Sequence, residues 1–230
     1  MKLSIIIPCY NEEKTLEKIV ERVLKFKDLE KEIIIVDDCS TDNSKIIIKN
    51  LADLHSEIKG IFLEKNSGKG SALKKGFEEV NGDIVLIQDA DLEYDPKDYS
   101  ALIKPFQNTD ADVVFGSRFM GGDYVRLHFF WHFVANKLLT LTTNIMTNLN
   151  MSDMETGYKL FKKSVIKSIE IKENSFGIEP EITVKLAKKK YVFYEVPISY
   201  RGRSYDEGKK ITLKDAFVAL YCIFKYKFFD

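Results

Sequence analysis

The sequence predicts an α/β fold with a mostly parallel central sheet and helices on both faces. Short apolar runs rich in β-branched residues alternate with amphipathic helical patterns through the first half of the chain. The runs carry no polar alternation, as expected of strands buried on both sides. Polar clusters follow each run, and in open sheets of this kind ligands bind beyond the carboxyl ends of the strands.

Leu3 to Ile7 reads as a first buried strand, ended by Pro8. Leu16, Ile19, Val20, Val23 and Leu24 then recur at helical spacing. Glu32 to Val36 is a second strand, and Ser40, Thr41 and Asp42 after it offer N-caps for a helix reaching about Leu54. A third strand is expected at Gly60 to Glu64, and Leu73, Gly76, Phe77 and Val80 mark the next helix, closed by the Asn81-Gly82 turn. The central strand, Ile84 to Ile87, is followed by a helix from about Lys97 to Phe106 and by the buried run ADVVFGSRF. The second half is less regular. His128 to Met151 is expected to be helical, DMETGYKLF follows with a small turn before Gly157, and NSFGIEPEI opens a helix to about Lys190. YVFYEVPISY is a strand, and the loop RGRSYDEGKK leads to the apolar stretch AFVALYCIF.

A chain of 230 residues, 45% hydrophobic, suits one large domain or one domain with an appendage. The 35 basic and 35 acidic residues cancel, which gives no bulk electrostatic case for a nucleic-acid partner. Cys9, Cys39 and Cys222 lack metal-type spacing and favour a reducing compartment. No stretch offers the roughly 18 apolar residues of a spanning helix, and the N-terminal LSIIIP is short for a signal-peptide core. The expectation is a cytoplasmic protein, soluble or peripheral to a membrane.

The chemistry centres on DIVLIQDADLEYDP, Asp83 to Pro96. Alternation along an extended backbone would put Asp89, Asp91 and Glu93 on one side at the end of a buried strand. Such carboxylates repel unless a cation lies between them. A magnesium-type ion carrying a phosphorylated ligand is the expected guest, because it takes one or two protein carboxylates plus substrate phosphates; ordinary acidic turn residues are the plainer reading.

The other clusters have two readings each. Asp37-Asp38 could bind a ribose or base, or cap the following helix. NSGKG, Asn66 to Gly70, fails the spacing of both glycine-rich nucleotide motifs, leaving phosphate contact at a helix start or a simple loop. Arg118 could pair with a phosphate or lie at the surface. Arg201, Arg203, Lys209 and Lys210 make either a charged loop or an anion-gripping lid. Asp153 and Glu155 could turn the chain or contact an acceptor, and Glu179 and Glu181 could simply favour a helix start. His128 and His132, one turn apart, lack a third zinc ligand. Phe129, Phe130, Trp131 and Phe133, with AFVALYCIF and KYKFF, are core or membrane contacts.

Taken together, SIIIPCYNEE, IIIVDDCSTDNS, the GKG loop, QDADLEYDP, GSRF, DMETGYKLF, FGIEPEI and YRGRSYDEGKK resemble, in order, the family 2 glycosyltransferases of the GT-A fold. The pattern most resembles the dolichyl-phosphate mannose synthase branch and the polyprenyl-phosphate hexosyltransferases, and spans roughly Lys2 to Lys210. The resemblance implies that Pro8, Tyr10 and Glu12 hold a nucleotide with Val36 and Asp38. It implies that Asp89-Ala90-Asp91 binds nucleotide sugar and Mg2+ or Mn2+, with Glu93 as a further ligand where the mannose synthases often carry glutamine. Arg118, Arg203 and Lys209 match phosphate-contacting positions, and the motif at Asp153 lies near the acceptor phosphate.

The expected activity is inverting transfer of a hexose from a GDP- or UDP-sugar to a polyprenyl phosphate, met through surface helices or a membrane partner. Asp91, Arg118 and Asp153 are the expected catalytic residues. The alternatives are a hydroxyl acceptor, with Asp153 as general base, and a non-catalytic nucleotide-sugar-binding module. The expected layout is a transferase domain over residues 1–211, with nucleotide-sugar (1–119) and acceptor (120–211) halves, and a C-terminal apolar helix over 212–230.

Overall fold

The computed structural model describes residues 1–121, 129–202 and 213–230, with the side chains of 213 and 214 excepted. Seven strands form one sheet: β1 (Lys2–Cys9), β2 (Glu30–Asp37), β3 (Ile58–Phe62), β4 (Ile84–Ile87), β5 (Val113–Ser117), β6 (Lys159–Lys162) and β7 (Phe193–Pro197). Their order is β3-β2-β1-β4-β6-β5-β7. β1 pairs in parallel with β2 and β4, and β2 with β3. β5 and β7 are also parallel, whereas β6 runs antiparallel to both β4 and β5.

The helices are α1 (Leu16–Lys25), α2 (Ser44–Leu54), α3 (Lys69–Glu79), α4 (Tyr99–Asn108), α5 (Phe130–Thr147), α6 (Lys163–Ile166), α7 (Ile178–Lys188) and α8 (Leu213–Phe228). The unbroken apolar runs have their cause here, since both faces of the sheet are covered. Leu3, Ile5 and Ile7 point to one core layer with Leu16, Ile19, Ile48, Tyr99 and Leu102. Ile6, Ile34 and Val85 point to the other, with Leu73, Phe77, Ile178, Ile182 and Ile223. α8 buries Ala219, Cys222, Ile223 and Tyr226 and packs on α5 and α7.

The expected helices and buried strands are present, with several differences in their bounds; β1 runs through Pro8 to Cys9, α5 ends at Thr147 and β7 is only Phe193–Pro197. β3 begins at Ile58, ahead of Gly60, because its register places Ile58 beside Ile33. The ADVVFGSRF strand stops at Ser117, whose hydroxyl accepts the Phe119 N–H at 3.1 Å and turns the chain. The last residues of DMETGYKLF, where the sequence suggests no strand, enter β6 between β4 and β5. One continuous sheet therefore crosses residue 119. His128 lies outside the described residues.

α3 lies close to β1, and a Cβ on Gly76 would collide with Cγ2 of the fully buried Ile6. This close approach helps set the start of α3 at the rim of the sheet. Gly76→Val is expected to cost about 1–3 kcal/mol by overpacking, read as a lower urea midpoint with an unchanged slope.

Candidate active site

A cavity of about 1130 Å³ opens beyond the carboxyl ends of β1 and β4. It exceeds the roughly 300–1,000 Å³ of most small-molecule sites. One part is polar, lined by Tyr10, Glu12, Asp38 and Asn66; another is mostly apolar, lined by Phe129, Trp131, Phe133, Val134, Ala216 and Ala219 with His132, Asn136 and Asp215 among them. Asp89, Asp91, Glu93, Lys69, Arg118, Glu155 and Glu179 also line it.

The first strand end supplies Pro8, Tyr10 and Glu12, as the sequence suggested. Val36 does not join them: it is 0% exposed, its side chain in the core layer beneath the sheet. Asp38 is buried, and its carboxylate accepts the amides of Ser67 (2.9 Å) and Gly68 (2.7 Å). Burial pushes this carboxyl up, with the two amides opposing it. Asp38 thus fastens the loop that opens α3. The glycines there also have a packing role, because a Cβ on Gly68 or Gly70 would stand 2.5 Å from a carbonyl oxygen of Asn174 or Glu173.

At the end of β4 the extended alternation expected for Asp89, Asp91 and Glu93 fails. The strand ends at Ile87, and Asp91 Oδ1 accepts the Glu93 N–H at 3.0 Å, a local turn. Asp89 meets Lys69 Nζ at 2.8 Å, and Glu93 accepts the Tyr200 hydroxyl at 2.6 Å. Among the described residues no three side chains of metal-ligating type converge on one point. A closed three-carboxylate cage is therefore not formed. Asp89 and Asp91 still present hard oxygen donors on the cavity wall, the number a small dication needs when phosphates complete its shell. The donor set fits such an ion.

Lys69 was not singled out by its sequence, yet it bridges two elements. Its ammonium meets Asp89 and, at 3.0 Å, Glu179 Oε1 at the start of α7. Burial opposes its charge, but the two carboxylates hold its pKa well above the ordinary lysine value. Glu179 read as a helix-start acid; its position on the wall comes from the α3–α7 packing, which a local pattern does not report. Tyr94 and Tyr200 were also missed. Tyr94 accepts the Gly157 N–H at 2.7 Å and packs on Tyr158 and Tyr200 at 4.7 and 5.0 Å.

Arg118 reaches the cavity as expected, held by a partner that the sequence placed elsewhere. Its Nε and Nη2 each donate to Asp153 at 2.7 Å, and its backbone N–H at 3.1 Å. Asn136 on α5 donates to the same carboxylate at 3.1 Å. Asp153 is 0% exposed and is not among the cavity-lining residues. Burial alone would raise its carboxyl, but Arg118 and these hydrogen bonds hold it below the ordinary value. In this arrangement it aims Arg118, and a carboxyl held low is a weak proton acceptor. Two residues on, Glu155 does line the cavity, its carboxyl raised by burial and by the Glu179 charge. Lys159 beneath it donates to the carbonyls of Met154 (2.8 Å) and Thr156 (2.5 Å), and burial lowers its pKa. Arg203, Lys209, Lys210 and the centre of their loop lie outside the described residues.

Residues 4–170 match the model of the glycosyl transferase family 2. The chain belongs to that family. It is 32% identical over 218 residues to a dolichol-phosphate mannosyltransferase of Pyrococcus furiosus, an alignment covering 92% of this chain and 61% of the relative. It is 30% identical, also over 218 residues, to an undecaprenyl-phosphate 4-deoxy-4-formamido-L-arabinose transferase of Proteus mirabilis, covering 93% and 64%. The chain thus spans a little over three-fifths of these curated relatives. Among solved structures it is similar to glucosyl-3-phosphoglycerate synthase from Mycobacterium tuberculosis, crystallised with Mn2+, UDP and glucosyl-3-phosphoglycerate. That likeness has a TM-score of 0.75 at 18% identity, covers 98% of this chain and 79% of the other, and establishes a shared fold.

Asp153→Asn leaves Arg118 buried beside a neutral amide, a loss expected to cost about 3–5 kcal/mol at neutral pH. Because the folded-state carboxyl is held low, its stabilisation is complete above the unfolded value of about 3.9. It is lost as pH falls through the lower folded value. Urea midpoints of wild type and variant should therefore differ widely at pH 7 and draw together in acid.

Proposed function

We propose that this chain transfers a hexose, with inversion, from a GDP- or UDP-sugar to a polyprenyl phosphate with the help of Mg2+ or Mn2+. The observation that carries this reading is the two-ended cavity, polar beside β1 and apolar beside α5 and α8, with Asp89, Asp91 and Arg118 also on its wall. A nucleotide sugar suits the first end and an isoprenoid the second. The names of the two curated relatives, both transferases acting on a polyprenyl-type phosphate, support the acceptor class. The Mn2+ and UDP of the structural relative support the donor and ion.

In this reading a phosphate oxygen of the lipid attacks the anomeric carbon, the bond from that carbon to the diphosphate breaks, and the nucleoside diphosphate departs. A divalent ion bound by Asp89 and Asp91 would supply charge neutralisation on the departing diphosphate. Arg118, locked by Asp153, adds a preorganised cation that need not reorient during the reaction. Arg203 and Lys209 are the further cations that the family motif proposes. The acceptor phosphate is already largely ionised at neutral pH, given a second pKa of about 6 for phosphate monoesters, so no strong base is required. A hydroxyl acceptor would require one, and the buried Asp153 is poorly placed to serve.

The acceptor is met at a membrane surface in this proposal. No described helix is long and apolar enough to cross a bilayer. However, α5 exposes Phe130, Val134, Leu138, Leu141 and Ile145 along one stripe, and α8 exposes Phe217, Tyr221, Phe224 and Phe228 along another. The two helices pack together, so both stripes are available for shallow insertion of the kind amphipathic helices make.

Incubation with manganese, a short polyprenyl phosphate, and GDP-mannose or UDP-glucose should release the nucleoside diphosphate only when the lipid is present. Chelation should stop it, and Asp91→Asn should lower the rate at least a hundredfold; donor binding without lipid-dependent turnover would overturn the reading. Independently, Leu138→Glu with Phe217→Glu should abolish co-sedimentation with lipid vesicles while leaving the far-UV circular dichroism unchanged.

A further inference from the structure

The cavity wall contains acceptors that the fold leaves unsatisfied. Glu155 Oε1 and Glu179 Oε2 are both buried without a hydrogen-bond partner among the described residues. Glu179 is 8% exposed, and its other oxygen is the one that meets Lys69. Burying an unmatched acceptor is costly, more so for a charged one, so two on one cavity wall point to a ligand that supplies the donors. Both carboxylates line the same cavity, and the Glu179 charge adds to burial in raising the Glu155 carboxyl.

Gly157 shows how the Glu155 turn reaches this place. A Cβ there would stand 2.5 Å from Asp89 Oδ2 and 2.8 Å from the Tyr94 ring. The absence of a side chain brings the turn against Asp89, so Glu155 borders the proposed diphosphate position. Its partner across the wall, Glu179, is tied through Lys69 to the same aspartate. The nearby cations Lys69, Arg118 and Lys159 are already engaged by carboxylates or carbonyls, so two carboxylates make this section less suited to an anion than to a neutral guest. A neutral ring bearing several hydroxyls supplies the missing donors without adding charge.

We propose that Glu155 and Glu179 form the sugar-reading wall of the site, each accepting a hydrogen bond from a hydroxyl of the transferred hexose and together disfavouring an acidic sugar. This deepens the transferase reading and rests on it. Neither residue performs a bond-making step; both determine which donor is held productively.

The test measures affinities by titration calorimetry, with manganese, for GDP, UDP, GDP-mannose, UDP-glucose and UDP-glucuronate. Wild type is compared with Glu155→Gln, Glu155→Ala and Glu179→Gln. The expected result is that Glu155→Ala weakens the better-bound hexose conjugate about tenfold or more, with its parent diphosphate changed less than twofold. Glu155→Gln and Glu179→Gln should also narrow the preference for UDP-glucose over UDP-glucuronate. The diphosphate affinity is the control for folding, since a merely structural defect lowers both ligands together. Unchanged conjugate affinity in all variants, or equal loss of diphosphate and conjugate, overturns the sugar-reading wall while leaving the transferase reading intact. A wild-type protein that binds no nucleoside diphosphate overturns both.

Discussion

The site depends on charge compensation in a place that water reaches poorly. Asp89, Asp153, Glu155 and Glu179 gather around one end of the sheet, and their mutual repulsion would splay the loops that carry them. Lys69, Arg118 and Lys159 prevent this in three different ways. Lys69 joins two carboxylates from distant elements, Arg118 grips another with paired donors, and Lys159 holds the carbonyls of the turn that carries the fourth. Paired charges of this kind seldom add much net stability over apolar packing. Their benefit is positional, because a two-point guanidinium contact specifies direction as well as distance.

The division of labour follows. Asp153 is buried and pairs with Arg118, whereas Asp89 and Asp91 line the cavity and can share an ion with a ligand. The tyrosines at positions 94, 158 and 200 pack together beside these groups, and the Tyr200 hydroxyl tethers Glu93. Asp89, Asp91 and Glu93 all line the cavity, the first tied to Lys69, the second to a local turn and the third to Tyr200.

Much of the architecture was legible because a doubly covered sheet leaves a strong trace. Runs such as SIIIP and DIVLIQ stay apolar on every residue and then break into polar side chains, as a strand does when helices cover both its faces and its end meets solvent. The rim was legible as a set of strand ends. Its geometry was less so. Alternation holds only while the backbone stays extended, and the Asp91 turn ended it after Gln88. KLFK, with four residues and a lysine at each end, was too short a signal for β6. Lys69, Glu179 and the Asp153 pairing owe their roles to partners far away in sequence, information that spacing along one stretch does not contain. The side chain of Val36, a position assigned to the nucleotide through family resemblance, packs in the core.

The reversed strand has a consequence for how the molecule is made. β6 separates β4 from β5, so those two edges cannot be closed until the chain has been synthesised past Lys162. Pairings over such separations delay the rate-limiting step of folding, and until then the nascent amino-terminal portion exposes an apolar strand edge that invites misassembly. Severing the polypeptide near residue 119 would leave the same edge open for good, making complementation by two independently produced fragments a demanding experiment.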